Sequence, residues 1–325
     1  LYYGGIDMKK YLVKRFLVGM IVLLLITFLS FLIINFSPGD PATLYVSSDA
    51  TEAQLEQTRE NLGLNKPLLI RYGHWLKNFI QGDLGISFAT RQPVSNMLLE
   101  RVGPTFLLMG TSLIVAYLIA IPLGVYSAVK QKSWVDYLIT GTSFLGVSIP
   151  NFFLGLIFIY VFAVQLEWFP TGGMHDLGSE GGFLERVHHL ILPVLVIATT
   201  ISANMIRYVR SSMIEIFGEN YLRTAKAKGL KPQNIIFRHG VRNALIPIIT
   251  IVGTDIPKLI GGAIVTEQIF QWPGLGALTI SSIQARDYNV LMAITLLSAI
   301  AVLFANMLTD VFYAAADPRI RLNEN

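Results

Sequence analysis

The sequence predicts an all-α protein that crosses a membrane several times. Three observations carry that reading. The 325 residues are 53% hydrophobic and only 14% charged, with a mean hydropathy of +0.56, whereas a soluble domain carries about a quarter charged residues. Six apolar stretches, roughly 16–36, 104–129, 137–164, 190–206, 244–266 and 289–313, approach or exceed the length of about 17–25 residues that spans a bilayer. The Lys and Arg residues also alternate in density from one connecting segment to the next, as a threaded topology requires.

The first stretch, FLVGMIVLLLITFLSFLIINF, follows Lys9, Lys10, Lys14 and Arg15. Its apolar core is too long for a cleaved signal peptide and no small-x-small site follows, so a retained signal-anchor is expected. Met8 followed by KKYLVKRF resembles a natural start, and 1–7 can then be read as an upstream extension. With the N-terminus inside, the cytoplasmic segments collect Lys130, Lys132, the basic residues of 207–243, and Arg319 and Arg321. The outer loops then hold Glu167, Asp176, Glu180, Glu185, Glu267 and Asp287 against Arg186 and Arg286. Six spans with both ends inside follow from that asymmetry.

Four parts are therefore expected: a tail and first span over 1–36, an outer helical segment over 37–103, a five-helix core over 104–316 and a cytoplasmic tail over 317–325. In the outer segment, Asp49–Thr51 can cap a helix that stops at Gly63. Asn65 and Pro67 open a second one ending before Gly82. Leu69, Tyr72, Leu76, Phe79 and Ile80 recur on one face of that second helix, which suits either a lid over the spans or the docking of an external partner. The next outer loop, EWFPTGGMHDLGSEGGFLERVHH, carries turn signals at Pro170–Gly173 and an aromatic pair, Trp168 and Phe169, at an interfacial position.

Chemistry is sparse. There is no Gly-Lys dipeptide, hence no phosphate-cradling loop, and neither H-E-x-x-H nor Gly-x-Ser-x-Gly occurs. Absent cysteines exclude disulfides and thiolate metal sites. His175, His188 and His189 share a loop with Asp176, Glu180 and Glu185 and in principle suit a metal, but solvated loop histidines account for them equally well, and no metal site is assigned. Asp255 and Lys258 lie within the fifth apolar stretch, three residues apart around Pro257. They read either as a self-paired structural knot or as polar groups lining a solute route, and are taken as translocation-pathway candidates.

One island stands apart. YLRTAKAKGLKPQNIIFRHGVRNALIP, beginning at Tyr221, carries Arg223, Lys226, Lys228, Lys231, Arg238 and Arg242 and no acid. A helix is expected over 215–228, stopped at Gly229, where a left-handed residue is cheapest without a Cβ. Pro232 suits the first turn of a second helix. Positive-inside topology and anionic lipid account for part of the charge. Nucleic-acid binding is disfavoured for a membrane-bound elbow without stacking aromatics. Small Ala225 and Ala227 beside the stop also permit close approach by a soluble partner.

The island resembles the cytoplasmic signature loop of ABC-importer permeases, the binding-protein-dependent transport-system inner-membrane components. That loop is generically Glu-Ala-Ala, three residues, Gly, then Ile-x-Leu-Pro. Here Arg223-Thr224-Ala225, Lys226–Lys228, Gly229 and Leu245-Ile246-Pro247 match. Arg and Thr replace Glu and Ala, and the Gly-to-Pro interval is longer. Both departures resemble the oligopeptide/dipeptide/nickel branch, as do SPGDPA at Ser37, SIPNFFLG at Ser148, WFPTGG at Trp168, IFQWPGLG at Ile269, ARDY at Ala285 and DPRIR at Asp317.

The resemblance implies a type I importer permease of the prokaryotic cytoplasmic membrane, taking up short peptides, nickel or related solutes. It implies a second homologous permease chain, two cytoplasmic ATPase subunits and an extracytoplasmic solute-binding protein. ATP and Mg²⁺ would sit on the ATPases, leaving this chain without cofactor or catalysis. The ATPase-coupling contact carries over to Arg223, Thr224, Ala225 and Gly229, with Tyr221, Lys226 and Lys228 added by proximity. The rival reading is an ion-coupled secondary transporter built on Asp255 and Lys258. A third class, an intramembrane enzyme, lacks any nucleophile–base or metal constellation.

Overall fold

The computed structural model describes residues 8–36, 41–44, 46, 50–61, 63–176, 178–179, 181–231, 234–241, 244, 248, 251–253, 255 and 263–316. Among these the chain is helical throughout, with a single isolated bridge between Ile86 and Pro93. In chain order the helices are α1 (Met8–Phe36), α2 (Glu52–Asn61), α3 (Leu68–Ile80), α4 (Val94–Val129), α5 (Trp134–Ser148) and α6 (Asn151–Phe158), then α7 (Phe183–Gly218), α8 (Asn220–Ala227), α9 (Ile264–Ile269), α10 (Leu275–Gln284) and α11 (Tyr288–Ala316).

Four helices have the length and composition to cross a membrane: Val13–Phe36 of α1, α4, α7 and Tyr288–Thr309 of α11. The third predicted span is not straight. α5 and α6 are bent by 100° at Pro150, because a proline lacks the amide that would continue the helix and forces its predecessor out of the helical region; Ile149 is extended at φ −81°, ψ 121°. π-helical turns over Ile159–Gln165 then carry α6 onward. The fifth predicted span, 244–266, falls mainly outside the described residues, so the described chain presents up to five crossings.

α4 and α7 form the spine. Each has 36 residues, about 54 Å at 1.5 Å per residue, well beyond the hydrocarbon thickness of about 30 Å. They pack along a stripe on α4, Ala116, Ala120, Gly124 and Ala128, all buried. A Cβ on Gly124 would run into Val209 and the Ile206 carbonyl of α7. Small residues every fourth position let two backbones approach, which is how apolar helices associate where lipid removes the hydrophobic drive. α1 packs against α11, and α5 against α7.

The outer segment follows its sequence signals closely. Thr51 and Gln54 form a reciprocal cap, Thr51 N–H to Gln54 Oε1 at 2.9 Å and Gln54 N–H to Thr51 Oγ1 at 3.4 Å. Asp49 lies outside the described residues. α3 begins one residue after Pro67 rather than at Asn65, and lies on α1. The hydroxyls of Tyr72 and Thr27 are 2.9 Å apart, and the Tyr72 ring meets Phe28 and Phe31 edge-on.

Candidate functional site

The basic island is less uniform than its sequence suggests. The helix expected over 215–228 is two pieces: α7 runs unbroken to Gly218, Glu219 turns extended at φ −67°, ψ 142°, and α8 restarts at Asn220. α8 closes with Lys228 N–H donating to Thr224 O at 3.0 Å. Gly229 then takes φ +74°, the left-handed stop that the sequence predicts. The described part of the second arm, Ile235–Val241, is wound in π-helical turns rather than as a regular α-helix. Pro232, Leu245, Ile246 and Pro247 lie outside the described residues.

The predicted coupling residues separate into a helix and its end. Tyr221, Thr224, Lys228 and Gly229 are exposed, as are Ala227 and Leu230 beside them. Arg223, Ala225 and Lys226 lie on α8, their side chains outside the described ones. Leu222, 4% exposed, anchors this surface from below. Behind it, Met213, Val209 and Met205 of α7, Ala120, Val125 and Ala128 of α4, and Ala244 and Ile248 form one buried cluster, with Phe217, Ile236 and Val241 packed on it. Gly240 is buried where a Cβ would press on Phe217 and Met213. α8 lies against α7 and against the Ile235–Val241 turns, whose Ile236 and Val241 pack on that cluster.

The same end of the spine is fastened by an ion pair that sequence reasoning missed. Asp136 of α5, 2% exposed, accepts from Arg210 of α7 in a two-point fork, Nε at 2.6 Å and Nη2 at 2.8 Å. It also accepts from Ser127 Oγ at 2.5 Å and Lys132 N–H at 2.9 Å. A bidentate, fully surrounded carboxylate of this kind fixes orientation more than it adds net stability. The partners lie 74 residues apart, and the only sequence signal is an acid at the start of one predicted span with an arginine just past the end of the next.

Farther along α7, a cleft of about 600 Å³ is lined by Thr200, Asn204, Arg207, Tyr208, Ser211 and Asp255, among others. Asp255 is buried and accepts from Tyr117 Oη at 2.7 Å. Lys258 lies outside the described residues, so the knot reading rests on a residue without a described position. Arg207 donates to Asn204 Oδ1 at 2.8 Å, lies 5.2 Å from the Phe144 ring centre, and keeps its Nε buried without a hydrogen-bond partner among the described residues.

At the opposite end, the quoted motifs become joints. In IFQWPGLG and the residue pairs around it, Glu267 is fully buried and caps α10. It accepts Gly276 and Ala277 N–H at 2.7 and 3.1 Å and Thr105 Oγ1 at 3.0 Å. Burial raises its carboxyl above the ordinary value, against the pull of those donors. Trp272 donates Nε1–H to Pro104 O at 2.9 Å. In ARDY, Asp287 accepts from Ser87 Oγ and from Ala89 N–H at 3.3 Å, pinning an outer turn to the start of α11. In SIPNFFLG, Asn151 accepts from Thr200 Oγ1 across the bend. SPGDPA in large part and DPRIR wholly lie outside the described residues.

Comparison with known proteins accounts for this arrangement. Residues 120–322 match the family described as binding-protein-dependent transport system inner membrane component, and residues 8–109 match its N-terminal companion. The oligopeptide transport system permease protein AppB of Bacillus subtilis is 48% identical, covering 96% of this chain and 99% of the relative. A putative peptide permease protein of Brucella suis is 39% identical over 97% of this chain and 100% of its own. The glutathione transport system permease protein GsiC of Escherichia coli K12 is 38% identical over 97% and 99%. Among solved structures, an inward-facing MetNI methionine ABC transporter chain aligns with TM-score 0.56 at 16% identity, covering 68% of this chain and 96% of that one, which shows a shared fold. The chain belongs to the binding-protein-dependent transport-system inner-membrane components, the multi-pass permeases of prokaryotic ABC importers.

Proposed function

We propose that this chain is the permease through which an ATP-driven importer admits short peptides, and that α8 with its Gly229 stop is where a separate ATPase takes hold. The observation that carries the reading is the elbow: an exposed short helix, ended at φ +74°, with Leu222 buried, lying against α7 and against Ile235–Val241, whose Ile236 and Val241 pack on the cluster that joins α4 to α7. The distribution of Lys and Arg supports six spans with both termini and the elbow in the cytoplasm. The sixth crossing is supplied by 244–266. Tyr221, Arg223, Thr224, Ala225, Lys226, Lys228 and Gly229 make the contact.

The full assembly comprises a second homologous permease, two ATPase subunits that bind ATP and Mg²⁺, and an extracytoplasmic solute-binding protein that meets the outer segment 37–103. This chain is non-catalytic. Peptides are the cargo that the names of the relatives support. The cleft beside α7 supports that class, since Arg207, Asn204 and Ser211 give its lining polar groups of the kind a short peptide can meet. An ion-coupled transporter acting alone is not favoured, because the family is defined by dependence on a binding protein. Cysteine cross-linking tests the contact. Thr224→Cys should couple to the ATPase surface in the assembled transporter, and a cysteine at exposed Leu99 should not. Equal coupling at both positions, or none at Thr224, contradicts the proposal.

A further inference from the structure

The outer loop between α6 and α7 brings together three metal-ligating groups that the sequence scatters. We propose that Asp176, Glu185 and His189 form a binding site for a divalent transition-metal ion on the outer face of the permease. Their donor atoms all lie within 4.8 Å of one another. Glu185 and His189 are four residues apart on the first turns of α7, hence on one helix face. Asp176 is supplied by the loop, its backbone N–H donating to Glu185 Oε1 at 2.6 Å. Ser179 Oγ donates to Glu185 Oε2 at 2.5 Å.

The histidine settles what the site needs. His189 is 5% exposed, and its Nδ1 lies 3.0 Å from the Gly172 carbonyl oxygen. A carbonyl only accepts, so Nδ1 carries the proton. The Nε2 lone pair then faces Asp176 Oδ1 at 3.4 Å. Two acceptors at that separation repel unless a cation lies between them. A backbone carbonyl on the far imidazole nitrogen is also the usual way in which a metal-binding histidine is oriented. Tetrahedral coordination at about 2.1 Å places neighbouring donors about 3.4 Å apart, the separation observed for this pair. The third donor closes in by side-chain rotation, since Asp176 and Glu185 are not buried.

The loop is built to hold Gly172 in place. Gly173, at φ +82°, donates its N–H to Phe270 O at 2.8 Å, and a Cβ on Gly172 would overlap the Phe270 backbone. An imidazole with two carboxylates and no thiolate suits Zn²⁺, Mn²⁺ or Ni²⁺, and three protein ligands leave a position open to water. His175 and His188 are turned elsewhere, toward the carbonyls of Asp176 and Trp168 at 3.1 and 2.8 Å.

The test is zinc titration of the chelator-washed, full-length protein in detergent against a fluorescent competitor at neutral pH. The expected result is one tight zinc per chain, with affinity reduced by about tenfold or more in Asp176→Asn and in His189→Gln. X-ray absorption at the zinc edge should report one imidazole nitrogen among oxygen ligands. Asp176 is 77% exposed, so its variant remains informative where the buried His189→Gln fails to fold. No zinc retained against the competitor, the outcome if a proton alone bridges Nε2 and Asp176, overturns the proposal. So does an affinity unchanged in Asp176→Asn.

Discussion

Gly229→Val isolates the elbow as a mechanical part. At φ +74°, no atom of the described residues lies within 4 Å of where a Cβ would sit, so backbone strain is the effect expected within this chain. The left-handed conformation costs an L-residue roughly 1–2 kcal/mol, with β-branching at the upper end. A shift of one to two kcal/mol changes a two-state ratio by about 5–30-fold, so the correctly turned elbow becomes a minority form to that extent. Leu222 and the cluster behind it are untouched, and insertion and yield should stay at the level of the unaltered protein. In proteoliposomes containing the assembled transporter and its binding protein, peptide uptake per ATP hydrolysed should fall by a factor in that range. Gly229→Asn should retain most of the coupling, because Asn tolerates the left-handed region. A Val variant that couples normally would refute the reasoning, as would an Asn variant as impaired as Val.

Asp136→Asn should destabilise the chain by about 3–5 kcal/mol, the cost of stranding one partner of a buried pair, and Asp136→Leu combined with Arg210→Met should recover much of the loss in thermal unfolding followed by fluorescence. Glu267→Ala leaves the Gly276 and Ala277 amides and the Thr105 hydroxyl unmet, at about 1–3 kcal/mol for each donor; the near-isosteric Glu267→Gln should unfold at a clearly higher temperature than Glu267→Ala. Asp255→Asn should reduce peptide transport with normal protein level if the cleft is a solute route. Loss of the protein itself would instead mark Asp255 as structural.

Much of the architecture was legible because it is local. Hydropathy integrated over about 20 residues finds α1, α4, α7 and α11, and a left-handed stop at Gly229 follows from the absence of a Cβ. The same integration hid the 100° bend at Pro150, since a run of apolar residues reads identically whether straight or folded back. The break at Glu219 was also invisible, because Glu215–Lys228 is rich in helix formers on both sides of it. Long-range chemistry left little trace. Asp136 finds Arg210 across 74 residues and Asp287 finds Ser87 across 200, and nothing near either acid announces its partner. The outer-loop histidines show the limit most plainly. Three of them and three acids were visible, but only the closing of the loop on Gly172 selects His189, with Asp176 and Glu185.

Under the proposed function, a separate ATPase moves this chain through its elbow. Peptide uptake into proteoliposomes measures it most directly, comparing this chain alone, this chain with its permease and ATPase partners, and the same assembly carrying an ATPase unable to hydrolyse ATP. Uptake should appear only in the complete, hydrolysis-competent assembly supplied with binding protein. Ion-gradient-driven uptake by the chain alone would contradict the account.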